Sequence, residues 1–130
     1  MSEIRGIGLD LCEIARMRSR LEGRFMEKYF TEREAAYIHS RGAQAAQSMA
    51  GVWAAKEAVL KALGTGIAFP LREVEITHTE AGQPLVQLHG KAAEAAAGGS
   101  FLVSITHEGG MAAAVALWYA GPNEKGAVSS

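Results

Sequence analysis

The chain has a single cysteine, Cys12, so an internal disulfide is excluded, and that usage fits a reducing compartment. Charge of either sign is not in excess. Thirteen Lys and Arg face fourteen Asp and Glu, for a net charge of −1, which gives no basis for bulk nucleic-acid binding. No apolar run approaches a membrane span and no signal-peptide pattern opens the chain, so a cytoplasmic protein with no membrane partner is expected. The histidines and the cysteine show no zinc-ligand spacing. Gly64-Thr65-Gly66 follows a helix instead of opening one, so it is not a P-loop. There is no internal repeat. What remains is 130 residues, 48% of them hydrophobic, enough for one domain with a core that needs no disulfide staple. That domain is expected over residues 1–120, with a disordered Gly-, Ser- and Pro-rich tail at 121–130.

Local patterns give the element order. Ile4 to Leu11 is short and apolar with small residues interleaved, which predicts a strand approached closely by another backbone. Glu13 to Glu22 reads as a helix ending near Gly23, and Phe25 to Phe30 as a further short turn. Thr31-Glu32-Arg33-Glu34 is a capping box opening a helix to about Ser40. Ala43 to Leu63 forms the long central helix, and a loop containing Pro70 follows from Gly64 to Leu71. Glu73–Thr79 and Leu85–Leu88 flank a turn as a hairpin. Lys91 to Ala97 is a short alanine-rich helix, and Phe101–Thr106 with Ala112–Tyr119 makes a second hairpin. The order predicts an α+β fold, an antiparallel sheet packed with a long central helix.

The central helix carries the densest chemistry. Met49, Val52, Val59, Leu60 and Leu63 share one apolar arc, and Lys56 falls in its middle. A lysine there must snorkel to water or meet an anion. Trp53, Glu57 and Lys61 align on the adjoining stripe. This is either an ordinary i,i+4 surface pair or a carboxylate and ammonium poised for a metal ion and phosphate oxygens. Asp10, inside an apolar strand, either caps the strand's exposed end or pairs with Glu57 as a magnesium ligand. His107, at the mouth of a glycine turn, is either a plain turn histidine or free to contact a ligand. Arg16, Arg20 and Arg24 fall at i, i+4, i+8 of the first predicted helix, a solvated face or a docking surface for an acidic partner. His39, His78 and His89 have no partner pattern and read as surface or structural.

Gly8-Leu9-Asp10 and Trp53-Ala54-Ala55-Lys56-Glu57-Ala58-Val59-Leu60-Lys61 together resemble the paired signature of the 4′-phosphopantetheinyl transferases. Tyr29-Phe30-Thr31-Glu32-Arg33-Glu34, Lys61-Ala62-Leu63-Gly64-Thr65-Gly66, Leu88-His89-Gly90-Lys91-Ala92 and Ser104-Ile105-Thr106-His107 are similar to the short bacterial holo-[acyl-carrier-protein] synthase branch. The match runs from about Ile4 to Trp118, and Trp53 stands where the family more often has Phe. The resemblance implies transfer of 4′-phosphopantetheine from coenzyme A to a serine of apo acyl carrier protein, leaving adenosine 3′,5′-bisphosphate, in support of fatty acid biosynthesis. It implies magnesium held by Asp10 and Glu57, catalysis by Glu57, Lys61 and Asp10, and coenzyme A contacts from Lys56, Lys61, Gly64 and His107. It also implies a homotrimer with active sites at subunit interfaces, where Asp10 and Lys61 need meet only across the interface, and carrier docking on the first helix at Arg16, Arg20 and Arg24. The base could be Glu57 or a metal-bound water that it activates. Transferases serving polyketide or peptide synthase carriers are usually twice this length with two similar halves, and a non-catalytic binding trimer would lack one of Asp10, Glu57 or Lys61.

Overall fold

The computed structural model describes residues 3–64 and 69–121. The chain runs β1 (Ile4–Glu13), α1 (Ile14–Arg18), α2 (Arg24–Tyr29), α3 (Glu32–His39), α4 (Ala45–Leu63), β2 (Val74–His78), β3 (Pro84–Leu88), α5 (Gly90–Ala95), β4 (Ser100–Glu108) and β5 (Met111–Tyr119). One-turn 3-10 segments precede α4 and β2. Two antiparallel sheets form, one ordered β1-β5-β4 and the other the β2-β3 hairpin. This is the α+β arrangement that the patterns predict. The expected tail beyond Gly121 and most of the loop after Gly64 lie outside the described residues.

Helix α4 is the centre of the core. Its helix-favouring residues form 19 continuous positions, and Gly64, at φ 66°, ends it by donating its N–H to Lys61 O. Met49, Ala50, Ala54, Ala55, Ala58 and Val59 are wholly buried. Helix and strand meet with almost no side chain between them. A Cβ placed on Gly6 would lie 2.0 Å from Ala62 O, and one on Gly8 would lie 1.9 Å from Ala58 O. The glycines in β1 are there because the backbone of α4 occupies the space a side chain would need.

Strand alternation then sorts β1 into two faces. Gly8 and Cys12 are buried toward α4, while Ile7, Leu9 and Leu11 are 67%, 63% and 60% exposed. Val115, opposite Leu9 on β5, extends that bare apolar face. β1 is an edge strand, and its ladder with β5 shifts register between Ile4 and Gly6. At that irregularity Arg5 donates to Ala96 O and Ala97 O and lies over the Trp118 ring.

The first helix is shorter than its pattern suggests. Residues 11–13 stay extended because their partners on β5, Ala113, Ala112 and Met111, continue the ladder to Glu13. The helix therefore begins at Ile14 and stops at Arg18, and Gly23, at φ 98°, turns the chain into α2. The predicted helix from Glu13 to Glu22 is corrected accordingly. Arg16, Arg20 and Arg24 occupy α1, the connecting turn and the start of α2, not one helical stripe. The capping box at Thr31 forms in full, with Thr31 Oγ1 accepting from the Glu34 N–H and Glu34 accepting from the Thr31 N–H.

Gly8→Ala is expected to cost at least about 2 kcal/mol, because a helix backbone, not a flexible side-chain tip, must move. Denaturant unfolding of the variant against the parent checks this.

Candidate active site

The close approach of β1 to α4 brings the candidate site residues together. Gly6 lies against Ala62 and Gly8 against Ala58, so strand and helix run antiparallel, and Asp10 is the next residue on that face. Glu57 and Lys61, one turn apart on α4, flank the same place. Lys61 Nζ donates to Asp10 Oδ1 at 2.9 Å and to Leu9 O at 3.1 Å. Asp10 and Lys61 therefore meet within one chain, which corrects the expectation that an interface brings them together. Asp10 is mostly sheltered and Lys61 about half exposed, so the pair forms the lip of a site and not a buried bridge.

The electrostatics are those of two neighbouring carboxylates. Burial and then the Asp10 charge push the Glu57 carboxyl above its ordinary value, with Lys61 and Arg16 opposing. The Lys61 ammonium is pushed up chiefly by its bond to Asp10. Among the described residues no cluster of three or more His, Cys, Asp or Glu gathers that could hold a metal. Asp10 and Glu57 thus supply only carboxylate oxygens, and few of them. That donor set fits magnesium, which takes one or two carboxylates and fills its remaining positions with water and phosphate oxygens.

The other expected site residues lie elsewhere. His107 is the second-last residue of β4, at the far edge of the sheet from β1, and its Nε2 lies 3.1 Å from Gln47 Nε2 near the start of α4. Gln47 and Glu57 are ten residues apart on the helix, about 15 Å along its axis. His107 therefore does not join Asp10, Glu57 and Lys61 in one chain. It lines a cavity of about 210 Å³ with Arg41, Gln47, Ser48, Val52 and His78. In its wall the Tyr37 and His78 rings stack at 3.9 Å and 6°, with the Arg41 guanidinium over Tyr37. Sequence reasoning missed Tyr37, Arg41 and Gln47, and treated His78 as uninvolved. Gly64 is exposed at the end of α4.

Lys56 points into the protein interior. It is wholly buried, and its Nζ donates to Glu34 Oε1 and Val74 O, both at 2.7 Å. Its ammonium is committed to internal acceptors, which sets the coenzyme A contact expected of it against an internal role. Arg16 lies over the Trp53 ring and Arg20 over Phe25, and Arg20 donates to Arg16 O. These two arginines thus share one aromatic-backed surface.

A profile of the 4′-phosphopantetheinyl transferase superfamily matches residues 6–115. The chain belongs to that superfamily. A Clostridium acetobutylicum holo-[acyl-carrier-protein] synthase is 42% identical over 120 residues, covering 88% of this chain and 96% of its own. The solved Plasmodium yoelii holo-ACP synthase superposes with a TM-score of 0.77 at 31% identity, covering 95% of this chain and 99% of that one. The Helicobacter pylori holo-[acyl-carrier-protein] synthase, solved in complex with coenzyme A, gives 0.75 at 29%, covering 86% and 98%. The phosphopantetheinyl transferase fold is therefore the one observed, and the chain is an enzyme of the holo-[acyl-carrier-protein] synthase class. No described helix is long and apolar enough to cross a membrane.

One pH effect follows from the cavity wall. His78 Nδ1 is buried without a hydrogen-bond partner among the described residues, and burial, then Arg41, push its imidazole below the ordinary value. The folded state thus disfavours the charged ring, so this group adds stability above about pH 6.5 that is lost as pH falls below it. His78→Phe keeps a ring against Tyr37 and removes the titration. Its melting temperature is expected to fall less than the parent's between about pH 7.5 and 5.5, measured by thermal scans.

Proposed function

We propose that this transferase moves the 4′-phosphopantetheine arm of coenzyme A onto a serine hydroxyl of apo acyl carrier protein, with magnesium, and releases adenosine 3′,5′-bisphosphate. The observation that carries the proposal is the meeting of Asp10, Glu57 and Lys61 where β1 touches α4. The Clostridium acetobutylicum relative is named for this class of synthase, and the Helicobacter pylori relative was solved with coenzyme A. A cytoplasmic role in fatty acid biosynthesis is part of the same reading.

Asp10 and Glu57 would hold the ion, whose charge makes the pyrophosphate phosphorus more electrophilic and stabilises the leaving bisphosphate. Lys61, on the lip beside Asp10, can turn its ammonium toward phosphate oxygens as negative charge develops on them. The serine oxygen forms the new bond to phosphorus as the bond to the bisphosphate oxygen breaks. The serine proton would pass to Glu57 or to a water that Glu57 activates.

The working enzyme is proposed to be a homotrimer. Gln47, which touches His107, and Glu57 sit about 15 Å apart along α4 within one chain, and a second copy is a simple way to bring His107 to the Asp10–Glu57–Lys61 group. The exposed row of Ile7, Leu9, Leu11 and Val115 is the apolar face such an assembly would cover. Arg16 and Arg20 on α1 and its turn, with Arg24 opening α2, are proposed as the carrier-docking surface, and Gly64 as a backbone contact for coenzyme A.

Mass spectrometry of apo carrier protein incubated with the enzyme, coenzyme A and magnesium should show one added phosphopantetheine, absent with EDTA. Asp10→Ala and Glu57→Ala should each lose at least about a hundredfold in rate while remaining folded; near-parental rates would refute the metal assignment. Leu9→Glu should lower the mass seen by light scattering to that of a smaller species and reduce transfer with it. Charge reversal at Arg16 and Arg20 should raise the KM for carrier protein more than that for coenzyme A, and raised salt should act the same way. Several apo carriers, including those of polyketide and peptide synthases, test partner preference in the same assay.

A further inference from the structure

Lys56 and Glu34 form the only buried ion pair among the described residues in which both side chains are wholly sealed from solvent. Their geometry ties together three separate elements. Glu34, on α3, accepts from the Thr31 N–H through Oε1 at 2.8 Å and from the Ile76 N–H of β2 through Oε2 at 2.7 Å. Lys56, on α4, reaches Glu34 Oε1 and the Val74 carbonyl of β2 at 2.7 Å each, and lies over the Phe30 ring at 5.3 Å. Burial pushes the Glu34 carboxyl up and the Lys56 ammonium down, and each is held back by the other's charge. A helix, a second helix and a strand are thereby fixed by directional bonds and not by packing alone.

The same three elements supply part of the wall of the cavity that His107 lines, with β3 and β4 supplying most of the rest. Tyr37 stands one turn after Glu34 on α3, His78 ends β2, and Gln47, Ser48 and Val52 belong to α4. Glu57 is the residue immediately after Lys56. The tie therefore stands between the cavity wall and the catalytic stripe of the same helix. We infer that Glu34 and Lys56 are a positioning pair, which sets the Tyr37–His78 wall of the cavity against α4; with His107 as the coenzyme A contact that the resemblance implies, the pair tunes coenzyme A binding without either residue touching coenzyme A. The inference rests on the proposed transferase reading for the identity of the ligand. It assigns Lys56 a role different from the direct contact that the family resemblance implies.

A double-mutant cycle in the full-length protein tests it, with Glu34→Gln, Lys56→Met and the combined variant. Coenzyme A affinity is read by calorimetry, kcat and KM by the carrier assay, and folding by thermal melts. Both single variants are expected to raise the dissociation constant and KM for coenzyme A by about tenfold with a smaller change in kcat, and the double variant to be no worse than the worse single. A loss of coenzyme A affinity in Lys56→Met that Glu34→Gln does not share, additive in the double variant, would mean that Lys56 touches the ligand and would overturn the inference. Lower melting temperatures with unchanged coenzyme A affinity and KM in the folded variants would reduce the pair to a stabilising contact and overturn it equally. If Lys56→Met does not fold, Lys56→Gln takes its place, alone and combined with Glu34→Gln, and the same comparison is read. A parent protein that binds coenzyme A yet transfers nothing would defeat the transferase proposal while leaving the cycle readable. A parent that binds no coenzyme A would remove both.

Discussion

The approach of the β1 backbone to the α4 backbone is the constraint on which the rest of the structure depends. Gly6 and Gly8 have no room for a Cβ because Ala62 O and Ala58 O occupy it. With the helix pressed this close, Asp10 arrives within bonding distance of Lys61 and within electrostatic reach of Glu57. A larger residue at either glycine would lift the strand and separate the charges. The small residues facing it, Ala54, Ala58 and Ala62, serve the same end from the helix side. Packing and chemistry are here a single requirement, since the site exists only at this separation.

Around that contact the molecule divides its polar groups by depth. At the surface, Lys61 and Asp10 keep access to water, and their arrangement can change when another cation or an anion arrives. In the interior, Lys56 and Glu34 have no such freedom. Every polar atom that they bury is matched, which is the condition under which a buried pair is tolerated. Removing one member would strand the other as an uncompensated group. Two lysines five residues apart on one helix thus do different work, decided by which face of α4 carries them.

Much of this was legible in the sequence, and the failures have physical causes. Asp10 in an apolar strand, Glu57 and Lys61 on one stripe, and Lys56 inside an apolar arc are all local anomalies, so periodicity exposes them. The anion that Lys56 must meet was foreseeable as a need but not as Glu34, which is 22 residues away and looks fully employed in a capping box. The first helix was overextended at both ends: pairing with β5, about a hundred residues later, keeps Glu13 in the strand, and residues 19–22 form the turn that leads through Gly23 into α2. The wall of the His107 cavity comes from α3, α4 and the two hairpins, and no window of sequence contains it. The arginine stripe failed for the same reason as the helix beneath it.

The bulge at Arg5 has a consequence for the life of the newly made chain. β1 is ten residues long, stands at the edge of its sheet, and shows Ile7, Leu9 and Leu11 to solvent. Such an edge is a template on which a second extended segment can add, in register and without limit. The irregular start of the ladder, with Arg5 bonded to Ala96 and Ala97, blunts one end of it. The remainder stays open until another surface covers it. In the proposed trimer a neighbouring copy would cover it, and before that assembly forms the same face would favour clumping, the more so as the protein becomes crowded.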